Sequence, residues 1–114
     1  MTSLIGTTTI MNNHGYIDAG GLAELAPGSM KRVNGFGERI LIANDAGMVH
    51  AVSDTCSHED ASLSLGALKP GTISCPLHGS RFCLKSGVPL DEPAEIPIRV
   101  YRVEIVDNRI MVSR

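Results

Sequence analysis

Two short pairs of cysteine and histidine constrain this chain more than any other feature of its sequence. Cys56 and His58 form a C-x-H pair, and Cys75 and His78 form a C-x-x-H pair after sixteen intervening residues. Each pair lies in a stretch rich in turn-forming residues, so each can form a tight loop that points a thiolate and an imidazole toward one place. Together the two loops predict a metal site with four ligands.

The segments on both sides of these loops have the pattern of short β-strands. Apolar and charged residues alternate at 101–105, and residues 40–42 form an apolar run that is expected to supply core. The turn sequences Gly35-Phe36-Gly37, Asp45-Ala46-Gly47 and Asp107-Asn108 separate the segments. The predicted strands are residues 15–19, 29–34, 38–43, 48–53, 101–105 and 109–112.

Residues from about 55 to 97 lose this alternation, and we expect loops there. A single helical turn is expected at residues 21–25. The fold class that follows is all-β: an antiparallel β barrel or sandwich with a loop-built subdomain that carries the metal site.

Size and charge narrow the classes of function. The 114 residues suit one domain, residues 1–114, in which 1–14 form a loose N-terminal tail. The net charge of -2 argues against nucleic acid as a partner, since phosphate binding needs a basic surface. The first residues lack both a basic start and a long apolar run, so we expect no signal peptide and no membrane anchor. Three cysteines without an export signal favour a cytoplasmic location and metal ligation over disulfides.

The spacing within the first pair discriminates between kinds of metal site. A one-residue gap departs from the paired C-x-x-C units of common zinc sites, whereas two cysteines with two histidines are the ligand set of a Rieske iron–sulfur centre. A zinc-stabilised interaction module remains the alternative from another class of function. A complete oxygenase is disfavoured, because its mononuclear iron needs two more histidines and a carboxylate, and only the scattered His14 and His50 remain.

The sequences C-S-H at 56–58 and C-P-L-H-G-S at 75–80 resemble the two cluster-binding loops of the Rieske family. The likeness extends from about Tyr16 to Val112, and residues 86–94, which include Pro93, are similar to the family's third, proline-containing loop. The resemblance implies a Rieske-like fold and one [2Fe-2S] cluster. Its implied ligands are Cys56, His58, Cys75 and His78, with the cysteines on the inner iron and the histidines on the outer one.

The residues expected around the cluster indicate a low reduction potential. Ala61 and Leu77 occupy the positions at which high-potential Rieske proteins have a disulfide, and Phe82 occupies the position of a tyrosine that hydrogen-bonds a ligand sulfur. Ser80 keeps a hydroxyl that can bond a bridging sulfide, and the backbone N–H groups of Leu77, Gly79 and Ser80 are expected donors to cluster sulfur. With fewer donors, we expect a potential of about -150 mV, near the negative end of the Rieske range.

These observations predict an electron carrier rather than an enzyme. The leading hypothesis is the ferredoxin component of an aromatic-ring-hydroxylating dioxygenase, with a flavoprotein ferredoxin reductase and a terminal oxygenase as partners. The Rieske-like small subunit of an assimilatory nitrite reductase is the alternative within electron transfer. Partners are expected to dock over the loop tips near Glu59, Asp60, Leu77 and Pro93. The third cysteine, Cys83, is expected to be a small buried apolar residue.

Overall fold

The structure, a computed structural model, describes residues 15–57, 61–77 and 79–114. Within these ranges the strands are β1 (Ile17–Gly21), β2 (Met30–Gly35), β3 (Glu38–Asp45), β4 (Met48–Ser53), β5 (Ala67–Lys69), β6 (Thr72–Ser74), β7 (Arg81–Cys83), β8 (Val100–Val106) and β9 (Arg109–Ser113). Single turns of 3-10 helix lie at Leu22–Glu24 and Leu63–Leu65. No helix in the described ranges is long and apolar enough to span a bilayer.

Two-residue turns connect β2 to β3, β3 to β4, and β8 to β9. Both residues of each turn have positive φ, which is the backbone of a type I′ hairpin and matches the twist of the paired strands. The residues concerned are Phe36 and Gly37, Ala46 and Gly47, and Asp107 and Asn108. The three hairpins predicted from the sequence are therefore confirmed.

The larger sheet has the strand order β1-β9-β8-β4-β3-β2, and every pair in it is antiparallel. Its two edge strands approach each other. Lys31 Nζ on β2 donates a hydrogen bond of 2.8 Å to the Ala19 carbonyl oxygen on β1. A Cβ on Gly35 would lie 2.4 Å from the Cδ1 atom of Ile17, so a larger residue here would have to displace the Ile17 side chain. The sheet is nearly closed into a barrel, and the predicted all-β fold is confirmed.

A second, three-stranded sheet with the order β5-β6-β7 lies in the segment for which loops alone were expected. Each of its strands has three residues. Strands this short contain too few residues for an alternation of period two to be recognised. The expectation that residues 55–97 are built from loops is therefore only partly correct.

Strand β3 separates two apolar cores. Ile40 and Ile42 pack inside the barrel, while Leu41 and Ala43 pack into a second core with residues of the smaller sheet. All four side chains are fully buried, which explains the unbroken apolar run at this strand. The second core also contains Cys56 and Cys75, so the fold places both thiols between the barrel and the smaller sheet.

Candidate metal centre

Cys56 and Cys75 reach the same apolar core from different sheets. Cys56 follows the end of β4, and Cys75 directly follows β6. Their exposed fractions are 3% and 2%. No disulfide bond involves either of them or Cys83. Two buried thiols that are not used to cross-link the chain are suited to bind a metal as thiolates.

The first loop is closed at its base by the backbone. Thr55 and Ser62 form an isolated antiparallel bridge, and the Cys56 N–H donates a hydrogen bond of 2.9 Å to the Ala61 carbonyl oxygen. The guanidinium of Arg39 donates to the Thr55 hydroxyl at 3.1 Å. The chain therefore leaves β4 and returns within six residues, with the cysteine at the start of the loop.

The second loop connects β6 to β7. The Cys75 N–H donates to the Ser80 carbonyl oxygen at 2.8 Å, and the Gly79 N–H donates to the Cys75 carbonyl oxygen at 2.9 Å. Gly79 has a φ of 74°, which glycine adopts without strain. Because the Gly79 N–H closes the loop, Leu77 and Ser80 are the better backbone candidates among the three donors expected for cluster sulfur.

Residues 91–97, which include Pro93, form a third segment that is tied to both loops. The Ala94 N–H donates to the Ser80 hydroxyl oxygen at 3.3 Å. The Ser57 hydroxyl donates to the Ile96 carbonyl oxygen. These contacts bring together the three segments that the sequence singled out.

The third segment is also anchored at its start. Arg81 donates to Asp91 through Nε at 2.7 Å and through its terminal nitrogen at 3.1 Å, and its backbone N–H donates to the same carboxylate. The Leu90 N–H donates to the Arg81 carbonyl oxygen. Arg81 directly follows the second loop, so this ion pair couples the second loop to the third segment.

The predicted histidine ligands His58 and His78, and the predicted docking residues Glu59 and Asp60, lie outside the described residues. Among the residues that are described, no group of three or more Cys, His, Asp or Glu side chains is placed to hold a metal. The described part of the site thus supplies two thiols, and the four-ligand set stays a prediction.

The surroundings of the cysteines nevertheless fit an iron–sulfur cluster. The Ser80 side chain is buried and accepts a hydrogen bond from Ala94, and its own proton has no acceptor within the described residues. A buried hydroxyl that is free to donate is suited to bond a cluster sulfur. Phe82 is fully buried in the same core as both cysteines, and it brings no hydroxyl there.

The environment of Cys83 differs from the one expected. It is only half-buried, at the end of β7, and hydrogen bonds from the Ser86 side chain and backbone lower the pKa of its thiol. The prediction of a small buried apolar residue is wrong, because alternation along β7 turns Phe82 into the core and Cys83 away from it.

Comparison with known proteins identifies the class to which this fold and site belong. The family described as Rieske [2Fe-2S] domain matches residues 16–102, and the chain therefore belongs to that family. This confirms the resemblance inferred from the two loops, and with it the predicted cofactor, one [2Fe-2S] cluster.

Individual relatives narrow the comparison. The chain is 38% identical to the ferredoxin component of biphenyl 2,3-dioxygenase from Rhodococcus jostii strain RHA1 over 90 residues, which are 79% of this chain and 84% of the relative. The ferredoxin of carbazole 1,9a-dioxygenase from Nocardioides aromaticivorans IC177 superposes with a TM-score of 0.82 at 30% identity, over 93% of this chain and 97% of that one.

Two further solved structures bear on the two electron-transfer hypotheses. A chain in the complex of reduced oxygenase and oxidized ferredoxin in carbazole 1,9a-dioxygenase matches with a TM-score of 0.83 at 31% identity, over 89% of this chain and 94% of that chain. A Mycobacterium tuberculosis protein described as an NADH-dependent nitrite reductase small subunit matches with a TM-score of 0.77 at 25% identity, over 93% and 96%. The biphenyl dioxygenase and IC177 carbazole dioxygenase relatives are named as ferredoxins, which are electron carriers, and this confirms the prediction of a carrier rather than an enzyme.

Proposed function

We propose that this chain is the ferredoxin of an aromatic-ring dioxygenase system, a single cytoplasmic Rieske domain that passes single electrons from a flavoprotein ferredoxin reductase to a terminal oxygenase. The observation that carries the proposal is the placement of Cys56 and Cys75: both are buried in one core, on two loops that a third segment ties together. The names of the relatives support the same function.

In this proposal Cys56 and Cys75 hold one iron of the cluster, and His58 and His78 hold the other. The bound cluster supplies one-electron redox chemistry at a potential that its ligands and their hydrogen bonds set. The residues of the chain provide the surroundings of the cluster. The apolar core excludes water from the two thiols, while Ser80 offers a hydrogen bond and Phe82 withholds one.

The exposed side of the site is proposed to meet the partners. Leu77 and Pro93 belong to the second loop and the third segment, and both are exposed. Exposed apolar side chains beside a buried redox site allow a partner to approach the cluster closely and to exclude water from the contact. Glu59 and Asp60 would add negative charge to the same surface and steer a basic partner.

Metal and sulfide analysis tests the ligand assignment. Protein purified anaerobically should contain two irons and two labile sulfides per chain, and Cys56→Ser or Cys75→Ser should abolish cluster binding, because a serine oxygen is a poor substitute for a thiolate. Cys83→Ser is the matched control and should retain the cluster, since Cys83 lies at the end of β7 and outside both loops. Stoichiometric zinc without sulfide would instead support a zinc module.

Reconstituted electron transfer tests the function. A dioxygenase reductase should reduce the chain, and the reduced chain should then reduce a terminal oxygenase. Voltammetry should place its potential near the negative end of the Rieske range, about -150 mV. A chain that transfers electrons only within a nitrite reductase would favour the alternative, which the lower identity to the nitrite reductase subunit makes the weaker one.

A further inference from the structure

Asp54 is a charged residue with no exposed surface, and it lies two positions before Cys56. Its carboxylate is surrounded by donors. The Ser64 N–H donates to Oδ1 at 2.9 Å, the Ser62 hydroxyl donates to Oδ2, and an Arg32 guanidinium nitrogen lies 3.8 Å from Oδ2. A buried carboxylate is costly unless such partners satisfy it, so this set of contacts calls for an explanation.

These contacts close the first ligand loop. Ser62 and Ser64 lie beyond the loop, and the Leu63 N–H between them donates to the Asp54 carbonyl oxygen at 2.6 Å. The Asp54 N–H donates in turn to the Arg39 carbonyl oxygen on β3 at 3.0 Å. Asp54 therefore joins the entry of the loop, its exit and the barrel at one point.

Closing the loop does not by itself require a negative charge. The Ser62 and Ser64 hydroxyl oxygens are 2.8 Å apart, and either can be the donor. If Asn replaced Asp54, its Oδ1 could still accept from the Ser64 N–H. Its amide could donate to Ser62, whose hydroxyl would then turn and donate to Ser64. The structural role of Asp54 therefore does not need its charge, although this charge lies next to the loop of a redox site.

We propose that Asp54 is a positioning residue that closes the first ligand loop and whose buried negative charge keeps the reduction potential of the cluster low. The proposal rests on the assignment of Cys56 as a ligand. A fixed negative charge in a medium of low polarity makes the addition of an electron nearby less favourable. Arg32 opposes this effect, but its side chain is 51% exposed and water screens its charge more strongly.

Voltammetry of the cluster-containing protein tests the electrostatic part. Asp54→Asn should retain the iron and sulfide content of the wild type and shift the midpoint potential to a more positive value. Arg32→Gln should shift it to a more negative value, by a smaller amount. A purely structural role for Asp54 would leave the potential of Asp54→Asn equal to that of the wild type in a protein that keeps its cluster.

Asp107→Asn is the matched control. It makes the same chemical change at an exposed turn, seven residues along the chain from Val100, the residue of β8 that pairs with Val52 of β4. That length of strand spans about 20 Å, which exceeds the distance over which an exposed charge acts at physiological salt. The potential of this variant should equal that of the wild type.

Asp54→Ala tests the positioning part, because alanine removes both the charge and the hydrogen bonds. It should lose its cluster to a chelator several-fold faster than the wild type, whereas Asp54→Asn should lose it at a rate close to that of the wild type. Equal rates for Asp54→Ala and the wild type would overturn the positioning role. An unshifted potential in Asp54→Asn would overturn the electrostatic role.

The variants remain informative if one of them fails to fold. Should Asp54→Asn not be obtained in folded form, Arg32→Gln tests whether a charge beside the Asp54 carboxylate acts on the cluster, because its loss leaves the hydrogen bonds of Asp54 in place. An unshifted potential in Arg32→Gln would then overturn the electrostatic role. A wild-type chain without iron and sulfide would overturn the proposed function and this inference with it, whereas a wild-type cluster with unshifted variants overturns the inference alone.

Discussion

At the scale of single residues, Gly66 is a position where the backbone itself leaves no room for a side chain. A Cβ there would lie 1.7 Å from the carbonyl oxygen of Ser74, the residue before Cys75. Backbone of a paired strand cannot move aside as a flexible side chain could. The second ligand loop thus depends on glycine at a position outside the loop.

Gly66→Ala should lower the free energy of unfolding by about 1–3 kcal/mol, which is the usual cost of overpacking in a core. Gly21→Ala is the control, because a Cβ at Gly21 would meet its nearest neighbour at an ordinary 3.6 Å and its φ is negative. This control should change stability by no more than about 0.5 kcal/mol. Urea unfolding measures both, and equal stability of the two variants would show that β6 adjusts to the clash.

His50 makes stability depend on pH. It is half-buried on β4, and burial lowers its pKa below the usual 6.5, against an opposing effect from Asp45. The unfolded chain therefore takes up the proton at a higher pH than the folded chain does. The contribution of neutral His50 is fully present above about pH 6.5 and is lost as the pH falls from there toward the folded pKa.

His50→Gln should therefore lose less stability than the wild type between pH 7.5 and pH 5.5. Urea unfolding of both proteins at the two pH values measures the difference, and subtraction removes the titration of groups that the two proteins share. Parallel losses in the two proteins would mean that His50 has the same pKa in the folded and unfolded chains.

At the scale of structural elements, an exposed ion pair helps to hold the third segment in place. The ion pair between Arg81 and Asp91 is exposed, yet it holds the start of residues 91–97 against β7. A similar exposed pair, Arg109 with Asp18, connects β9 to β1 at the barrel. In both pairs the aspartate also accepts a backbone N–H, so the second pair is a close control for the first.

Asp91→Asn should let the third segment open more often and should raise the rate of cluster loss to a chelator by about two- to five-fold, as expected for one exposed ion pair. Asp18→Asn should leave this rate unchanged. High salt should accelerate loss from the wild type and from Asp18→Asn, but have little effect on Asp91→Asn, because the pair that salt weakens is already absent. The same rate in both variants would show that the pair does not hold the segment.

At the scale of the whole molecule, the site lies at one end of the barrel and the β3–β4 turn at the other. Leu77, in the second loop, is 59% exposed. Met48, at the start of β4, is 64% exposed, but five residues of strand separate it from the end of β4 that leads to Cys56. The two side chains are alike in size and exposure and differ in their place on the molecule.

Leu77→Ser should slow reduction of the terminal oxygenase by about five-fold or more, which corresponds to the loss of one apolar contact at the centre of an interface. Met48→Ser should change the rate less than two-fold, in line with about 0.4 kcal/mol or less. Stopped-flow measurement of second-order rates gives both values. Equal effects would move the docking surface away from the loop tips.

Local features of the sequence determined the hairpins, the strands of the barrel and the ligand motif. Turn dipeptides such as Asp107-Asn108 accept positive φ with little strain, so the three hairpins and their strands followed from neighbours in the chain. The apolar run at residues 40–42 marked core positions of β3. The spacing of Cys56 and Cys75 with their histidines identified the family because ligand chemistry is a property of residue types at short separations.

Only the tertiary structure decided what depends on residues far apart in the chain. The smaller sheet forms because the barrel offers its strands an apolar face, which three-residue runs do not reveal. The sequence does not single out Asp54, and only the return of the chain at Ser62 and Ser64 buries it. Burial and hydrogen bonding are sums over neighbours in space, so a pattern along the chain predicts which residues can build the site but not which of them the fold encloses.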